Sequence, residues 1–370
     1  MNAFAKHLAK DSKTVTAIYA KYKECGDGEP QRGYLGASII GHHCSRYLWY
    51  CFRQCCRQDI SGRVYRLFAT GNLEEARFTE DLIAIGCEVH EADPQGEQFE
   101  VSALGGHFSG HMDGAILGVP EAPKTWHVGE YKTHNAKSFA TLKKDGVEAS
   151  KPQHYAQMQI YMHLSGMKRA LYLARNKDTD ALYSERIKYD AEYATTLLVR
   201  AEQIITTTTP PDRMTDRPDY YECKWCDAHA VCWGDASSAL PIRSLSCRQC
   251  CHATPEINGL ARWTCEKHKR DLSIEDQDNP CTFHLVLPGL IGFASPMDYE
   301  SNAIMFVNWD GDTWKQGEAS DCISSSELMV LPPDKLTVDV LTAAREKFGA
   351  VAIGHHTQDS IESKQKHQNT

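Results

Sequence analysis

Hydrophobic and polar positions along the chain change period several times, and each change marks an element. Residues 1–23 read as an amphipathic helix, followed by a Gly-rich turn over 26–33. Ser38 is the expected N-cap of a second helix carrying Cys44, Arg46 and Trp49. A third helix is expected over 62–85. There Leu82 and Ile85 mark the apolar stripe, and Glu74 and Glu75 read as a solvated face, Glu74 the more cleanly. Between Gly110 and Lys132, two short apolar runs flank a turn with Val119, Pro120 and Pro123, the pattern of adjacent strands. In the second run Trp126, Val128, Glu130 and Lys132 alternate with His127, Gly129 and Tyr131, so Glu130 and Lys132 share a face. Asp113, beside Gly114 at a bend in the first run, can aim at the same spot. Pro152 opens a further helix, where Gln153, Gln157 and Tyr161 recur at i, i+4 and i+8 and Met158, Ile160 and Met162 supply the buried side. Two strands joined at 178–180 follow, then a helix over 190–206 and the linker TTTTPPDR.

Length and composition bound the class. A chain of 370 residues can bury a sizeable core and is expected to hold more than one domain. The first residues lack the apolar run of a signal peptide and no stretch approaches a membrane span, so a cytoplasmic protein with no membrane partner is expected. Fifteen cysteines, several of them grouped, then point to metal binding over disulfides. The net charge of −9 argues at first against nucleic acid, but it is unevenly spread. From Asp271 onward, 6 Lys/Arg face 16 Asp/Glu. Residues 41–70 instead carry arginines 46, 53, 57, 63 and 66 against the single acid Asp59. Residues 131–200 carry 12 Lys/Arg against 7 acids. Such locally basic faces suit a phosphate backbone.

Two carboxylates converging with one lysine have a clear chemical use. Asp113 and Glu130 can hold a hard cation such as Mg²⁺ or Mn²⁺ through oxygen, with water and a substrate phosphate completing the octahedron. Lys132 can orient a water or neutralise charge developing on phosphorus. Further along, Cys223, Cys226 and Cys232 give C-x2-C-x5-C, three thiolates in need of a fourth ligand. Soft donors of this kind select zinc or an iron–sulfur cluster.

The D-x(16)-E-x-K spacing resembles the PD-(D/E)XK nuclease superfamily, with Met112 where a Pro is usual. One cysteine before that core and C-x2-C-x5-C after it resemble the iron–sulfur RecB-like branch, which includes the CRISPR-adaptation exonucleases and the AddB nuclease domain. The resemblance covers residues 34–235 and adds an acidic or His position upstream and a Q-x3-Y motif downstream. It implies a mixed sheet flanked by helices, an α/β restriction-endonuclease-like core. It implies Asp113 and Glu130 as metal ligands with the Tyr131 carbonyl as a third, and Glu75 upstream, with Glu74 competing for that position. It further implies Lys132 as the group activating water, and Gln157 and Tyr161 positioning the DNA strand. Cys44, Cys223, Cys226 and Cys232 would hold a 4Fe–4S cluster, with Cys51, Cys55 and Cys56 as close rivals of Cys44.

The rest departs from the family's minimal unit. Cys247 and Cys250, then Cys265 and His268, have the spacing of a zinc ribbon or knuckle, with Cys281 and His284 competing for the fourth place and Cys251 competing with Cys250. Apolar runs over 281–350 alternate with turns and end in a helix near 334–348, a small acidic α/β module expected to face a protein partner. The expected organisation is therefore a nuclease domain over 1–235, a zinc module over 241–285, the acidic module over 286–357 and a disordered tail over 358–370. Together these imply a metal-dependent DNA exonuclease acting on ends or single strands, in recombination, repair or phage DNA processing. The alternatives are a non-catalytic DNA-binding or assembly protein on the same fold, and a structure-specific endonuclease.

Overall fold

The structure, a computed structural model, describes residues 12–56 and 58–336. In chain order the first helices and strands are α1 (Lys13–Gly28), β1 (Leu35–Gly36), α2 (Ser45–Phe52), α3 (Gly62–Ala84), β2 (Glu88–His90), β3 (Glu100–Ala103), β4 (Phe108–His111), β5 (Gly114–Leu117) and β6 (His127–His134). Next come α4 (Ala136–Ser150), α5 (Pro152–Ser165), β7 (Arg169–Asn176), β8 (Leu182–Lys188), α6 (Ala191–Thr206) and α7 (His229–Trp233). The last are β9 (Ala253–Pro255), β10 (Trp263–Cys265), β11 (Arg270–Leu272), α8 (Ile274–Asp278), β12 (Ala294–Tyr299), β13 (Ala303–Asn308), β14 (Thr313–Gly317) and α9 (Ser325–Val330).

The chain divides into two compact units. The first joins residues 1–43 to 58–203, and the second joins 44–57 to 204–370. This division differs from the one expected at residues 235–241. Helix α2 and the whole cysteine-bearing stretch after α6 belong to the second unit. The N-terminal part of the expected first helix, the helix near 334–348 beyond residue 336 and the tail from 358 lie outside the described residues.

The first unit is built on a five-stranded mixed sheet in the order β2-β5-β6-β7-β8. β6 and β7 run parallel, with Glu130 opposite Tyr172 and Lys132 opposite Ala174, and the other pairs are antiparallel. Parallel neighbours need a crossover, which α4 and α5 supply. Their covering explains why β6 is buried almost throughout and does not alternate. Helix α5 begins at Pro152 as expected and ends on Gly166, whose φ of 79° is the left-handed conformation that closes helices. Its Ala156–Met162 run is buried all round, glutamines included. Behind the sheet, Phe78 and Leu82 of α3 pack with Ile116, Tyr131, Leu171 and Leu173. Ile85, expected in that stripe, is 64% exposed, because α3 has already ended at Ala84. A smaller sheet, β1-β4-β3, completes the unit.

In the second unit α2 does not start at Ser38. Residues Ala37–Ile39 form a single 3₁₀ turn, and the N-cap is Cys44, whose sulfur accepts the Tyr47 N–H at 3.4 Å. Arg53, counted above toward a basic face, is fully buried. Its guanidinium donates to the carbonyls of Arg248 and Thr207 and lies over Trp49 and Trp263. Arg46 donates to the Pro211 carbonyl and to the Tyr50 hydroxyl. Both arginines serve packing, whereas Arg63 and Arg66, in the first unit, are exposed. Two three-stranded antiparallel sheets, β9-β10-β11 and β12-β13-β14, follow.

Candidate active site and cysteine centres

The acidic site forms where β5 and β6 meet. Asp113 sits in the bend between β4 and β5, and its Oδ2 accepts the Tyr131 N–H at 2.7 Å. That bond ties the bend to the middle of β6 and fixes the carboxylate beside Glu130. Glu130 is fully buried, and its Oε2 receives no hydrogen bond. Its counter-charge is Lys132, whose Nζ lies 2.5 Å from Glu130 Oε1 and 3.8 Å from Asp113 Oδ2, and donates to the Tyr131 carbonyl at 3.0 Å. Burial, reinforced by the Asp113 charge against the counter-pull of Lys132, pushes the Glu130 carboxyl up to about 8. The Lys132 ammonium is held above its ordinary range because the attraction of Glu130 and Asp113 outweighs its own desolvation.

The two glutamates of α3 part company. Glu75 borders a cleft of about 440 Å³ together with Lys132, Tyr131 and Lys177, and its carboxyl is raised by burial and by the charge of Asp113. Glu74 is the buried one, 6% exposed, and pairs with Arg175 and Arg77. The expectation that Glu74 is the more solvated is therefore corrected. Its partner Arg175 comes from β7, about a hundred residues away, where helical periodicity has no reach.

Helix α5 lies against β6 and β7 and brings Gln157 and Tyr161 to this side. Gln157 Nε2 donates to the Tyr161 hydroxyl at 3.1 Å, and burial, then the charge of Glu130, raises the phenol. Gly110 permits the approach, since a Cβ there would sit 2.7 Å from Tyr161 Cε1. His154, at i, i+3 and i+7 with Gln157 and Tyr161, also falls on this stripe. A search for i+4 spacing alone passes over it.

In the second unit, Cys44, Cys223, Cys226 and Cys232 line one small cavity of about 30 Å³, walled by Tyr47, Tyr50 and Met214. Burial raises the Cys223 and Cys226 thiols, and the neighbouring cysteines raise them further. Cys51 and Cys56 hydrogen-bond each other outside this lining. Cys55 is fully enclosed and donates to the Arg53 carbonyl. A second cavity of about 50 Å³ gathers Cys247, Cys250, Cys265, Cys281 and His268. His268 Nε2 lies 3.3 Å from the Cys281 sulfur. His284 borders the same space, yet both its ring nitrogens are taken, by Ser325 Oγ and the Ser246 carbonyl. Cys251 lies apart, its thiol on the Val286 carbonyl. None of the fifteen cysteines is in a disulfide. Among the described residues no three His, Cys, Asp or Glu side chains stand in the arrangement of a ready-made metal site, and no helix is long and apolar enough to cross a membrane.

No family model matches the chain, and no curated protein does. Among solved structures, SSO0001 aligns at 16% identity and a TM-score of 0.35, covering 61% of this chain and 98% of that one. An alkaline exonuclease from Laribacter hongkongensis, LHK-Exo, aligns at 15% identity and a TM-score of 0.32, covering 50% of this chain and 90% of that one. The same exonuclease in complex with dAMP gives 16%, 0.33, 51% and 90%. These alignments cover between 50% and 61% of this chain.

Proposed function

We propose that this chain is a metal-dependent DNA nuclease of the RecB-like type, working as an exonuclease on DNA ends or single strands. The observation that carries the reading is Glu130, a fully buried carboxylate whose Oε1 meets the Lys132 ammonium and whose Oε2 receives no hydrogen bond, beside Asp113. A carboxylate costs too much to bury bare, unless a cation takes it up. Oxygen donors from two carboxylates suit Mg²⁺ or Mn²⁺, held by Asp113, Glu130 and the Tyr131 carbonyl, with Glu75 upstream. Such an ion supplies Lewis-acid polarisation of a phosphoryl oxygen and a lowered pKa for water. The remaining work falls to the chain. Asp113, tied to the Tyr131 N–H, keeps its position as charge builds. Lys132 remains protonated through the neutral range and offers its ammonium to the phosphorane oxygens. Gln157 and Tyr161 hold the scissile strand from the α5 side.

In the second unit we assign Cys44, Cys223, Cys226 and Cys232 to a 4Fe–4S cluster, and Cys247, Cys250, Cys265 and His268 or Cys281 to zinc. Four thiols around one small space suit soft metals in both places. The acidic C-terminal stretch is assigned to a protein partner, and the whole to recombination, repair or phage DNA processing.

The test is cleavage of 5′- and 3′-labelled linear DNA, single- and double-stranded, beside circular single strands, with Mg²⁺, Mn²⁺ or EDTA. Stepwise metal-dependent release of label from ends, with circles intact, supports the exonuclease. Cut circles move the reading to an endonuclease. Retained DNA binding without any cleavage moves it to a non-catalytic DNA-binding protein.

A further inference from the structure

Behind Lys132 runs a buried chain of hydrogen bonds that the catalytic set above does not use. His134 lies two residues further on β6, on the same strand face as Glu130 and Lys132. Its Nδ1 is 3.2 Å from Ser138 Oγ, and its Nε2 is 2.8 Å from the Tyr172 hydroxyl. That hydroxyl is in turn 2.9 Å from Nδ1 of His154. Tyr172 is fully buried and stands opposite Glu130 in the β6–β7 register. The two imidazoles lie 6.0 Å apart at 29°, and the phenol ring lies over both. The chain Ser138–His134–Tyr172–His154 ends on the α5 stripe that carries Gln157 and Tyr161. Among the described residues the far nitrogen of His154, Nε2, has no protein partner.

A tyrosine hydroxyl has one proton to give. It can donate to only one of the two imidazoles, and the other must donate to it. Only two proton arrangements satisfy every bond. In one, Ser138 donates to His134 Nδ1, His134 Nε2–H donates to Tyr172, and Tyr172 donates to His154 Nδ1, leaving a proton on His154 Nε2. In the other, each proton is reversed and His154 Nε2 is bare. Both imidazoles are kept neutral, His154 pushed down to about 3 and His134 to about 4, by burial first and then by the charges of Lys132 and Lys151. A phosphodiester brings acceptors only, so its arrival selects the first arrangement.

We propose, on the nuclease reading above, that His154 is a further catalytic residue, donating Nε2–H to a phosphate oxygen of the scissile strand, with Tyr172 and His134 as the positioning residues that fix its tautomer. A neutral donor suits this place, because Lys132 already supplies the positive charge. The pattern is that of an imidazole whose second nitrogen is set by a buried partner. No covalent step is assigned to His154.

The test combines kinetics with ring-nitrogen NMR on the full-length, metal-loaded protein. His154→Phe is expected to lower kcat on the order of 10²-fold with KM for DNA unchanged, as for a donor used in the transition state. His154→Gln, which keeps an N–H near the same point, is expected to recover most of that loss. Tyr172→Phe is expected to cost about 10-fold, and the His154→Phe/Tyr172→Phe pair no more than His154→Phe alone, because the two act through one group. ¹⁵N correlations of the His154 ring are expected to show a protonated Nε2 in the presence of a DNA strand, and a mixture of tautomers in Tyr172→Phe. Additive losses, or an unchanged tautomer in Tyr172→Phe, overturn the relay. Wild-type kcat in a folded His154→Phe overturns the role of His154 while the nuclease reading stands. If wild-type protein cuts no DNA, both fall together.

Discussion

The two units gather metal-type donors in opposite ways. In the first, a buried carboxyl already lies against an ammonium before any cation arrives. Glu130 lies buried, with Lys132 as its counter-ion, and its raised carboxyl records the cost. In the second, burial raises the thiols of Cys223, Cys226, Cys247, Cys250 and Cys281, which keeps them neutral and lets them bury like small hydrophobes. A hard site with a buried carboxyl costs the fold stability as that carboxyl ionises without its cation, yet its sheet is held by packing elsewhere. A soft site acquires charge only as metal displaces protons, and little else ties its loops together: α7 has five residues and each strand of the first small sheet three. Metal in the first unit should therefore matter to chemistry, and in the second to stability.

The sharpest way to break this contrast is to remove one donor from each site. Cys226→Ser is expected to lose iron and lower the thermal midpoint on the order of 10 °C or more. Asp113→Ala is expected to lose activity by on the order of 10³-fold while its midpoint moves by only a few degrees. Calorimetry beside an activity assay reads both, and a large melting shift in Asp113→Ala would erase the distinction.

A smaller effect follows from Glu130. Its carboxyl, raised to about 8 in the fold, favours the protonated form there, so the metal-free fold loses stability as pH climbs from the ordinary carboxylate range toward 8. Glu130→Gln is therefore expected to melt several degrees higher than wild type at pH 8 in EDTA, with the gap closing near pH 4.5. In the same range Mn²⁺ affinity of the wild type is expected to rise with pH and level off above 8, since the ion displaces that proton. Titration calorimetry in buffers of different ionisation enthalpy counts the proton released.

The smallest effect concerns the proposed zinc ligands. Burial raises the Cys247 thiol and the nearby sulfurs of Cys250, Cys281 and Cys265 add to it, whereas His268 sits exposed against the Cys281 sulfur. Cys281→Ser is expected to release zinc. His268→Ala is expected to weaken it about 10- to 100-fold, the cost of an outer partner. Competition with a chromogenic chelator measures both, and the reverse order would make His268 the ligand.

What the sequence made legible was local. The strand pair around Pro120, the start of α5 at Pro152 and the join of β7 to β8 near Asp178 follow from breaker residues and periodicity. The placing of Asp113, Glu130 and Lys132 together was readable because two of them lie on one strand. What escaped was set by distant partners. Glu74 is buried by Arg175, and Arg53 by the Arg248 and Thr207 carbonyls. Ser38 has the chemistry of an N-cap, but the helix waits for the Cys44 sulfur. His284 has the spacing of a zinc ligand, but Ser246 and Ser325 already occupy it. His154 was missed because the stripe was sought at i+4, while the tie that gives it meaning runs through Tyr172 on another element.

The most direct test of the central claim is single-turnover cleavage of an end-labelled strand by wild type, Asp113→Ala and Lys132→Ala, with Mn²⁺ binding followed by electron paramagnetic resonance on the same samples. The account predicts that both variants fail to cut, that Lys132→Ala still binds Mn²⁺, and that Asp113→Ala binds it far more weakly. Cleavage by Lys132→Ala at the wild-type rate, or cleavage that survives EDTA, would contradict it.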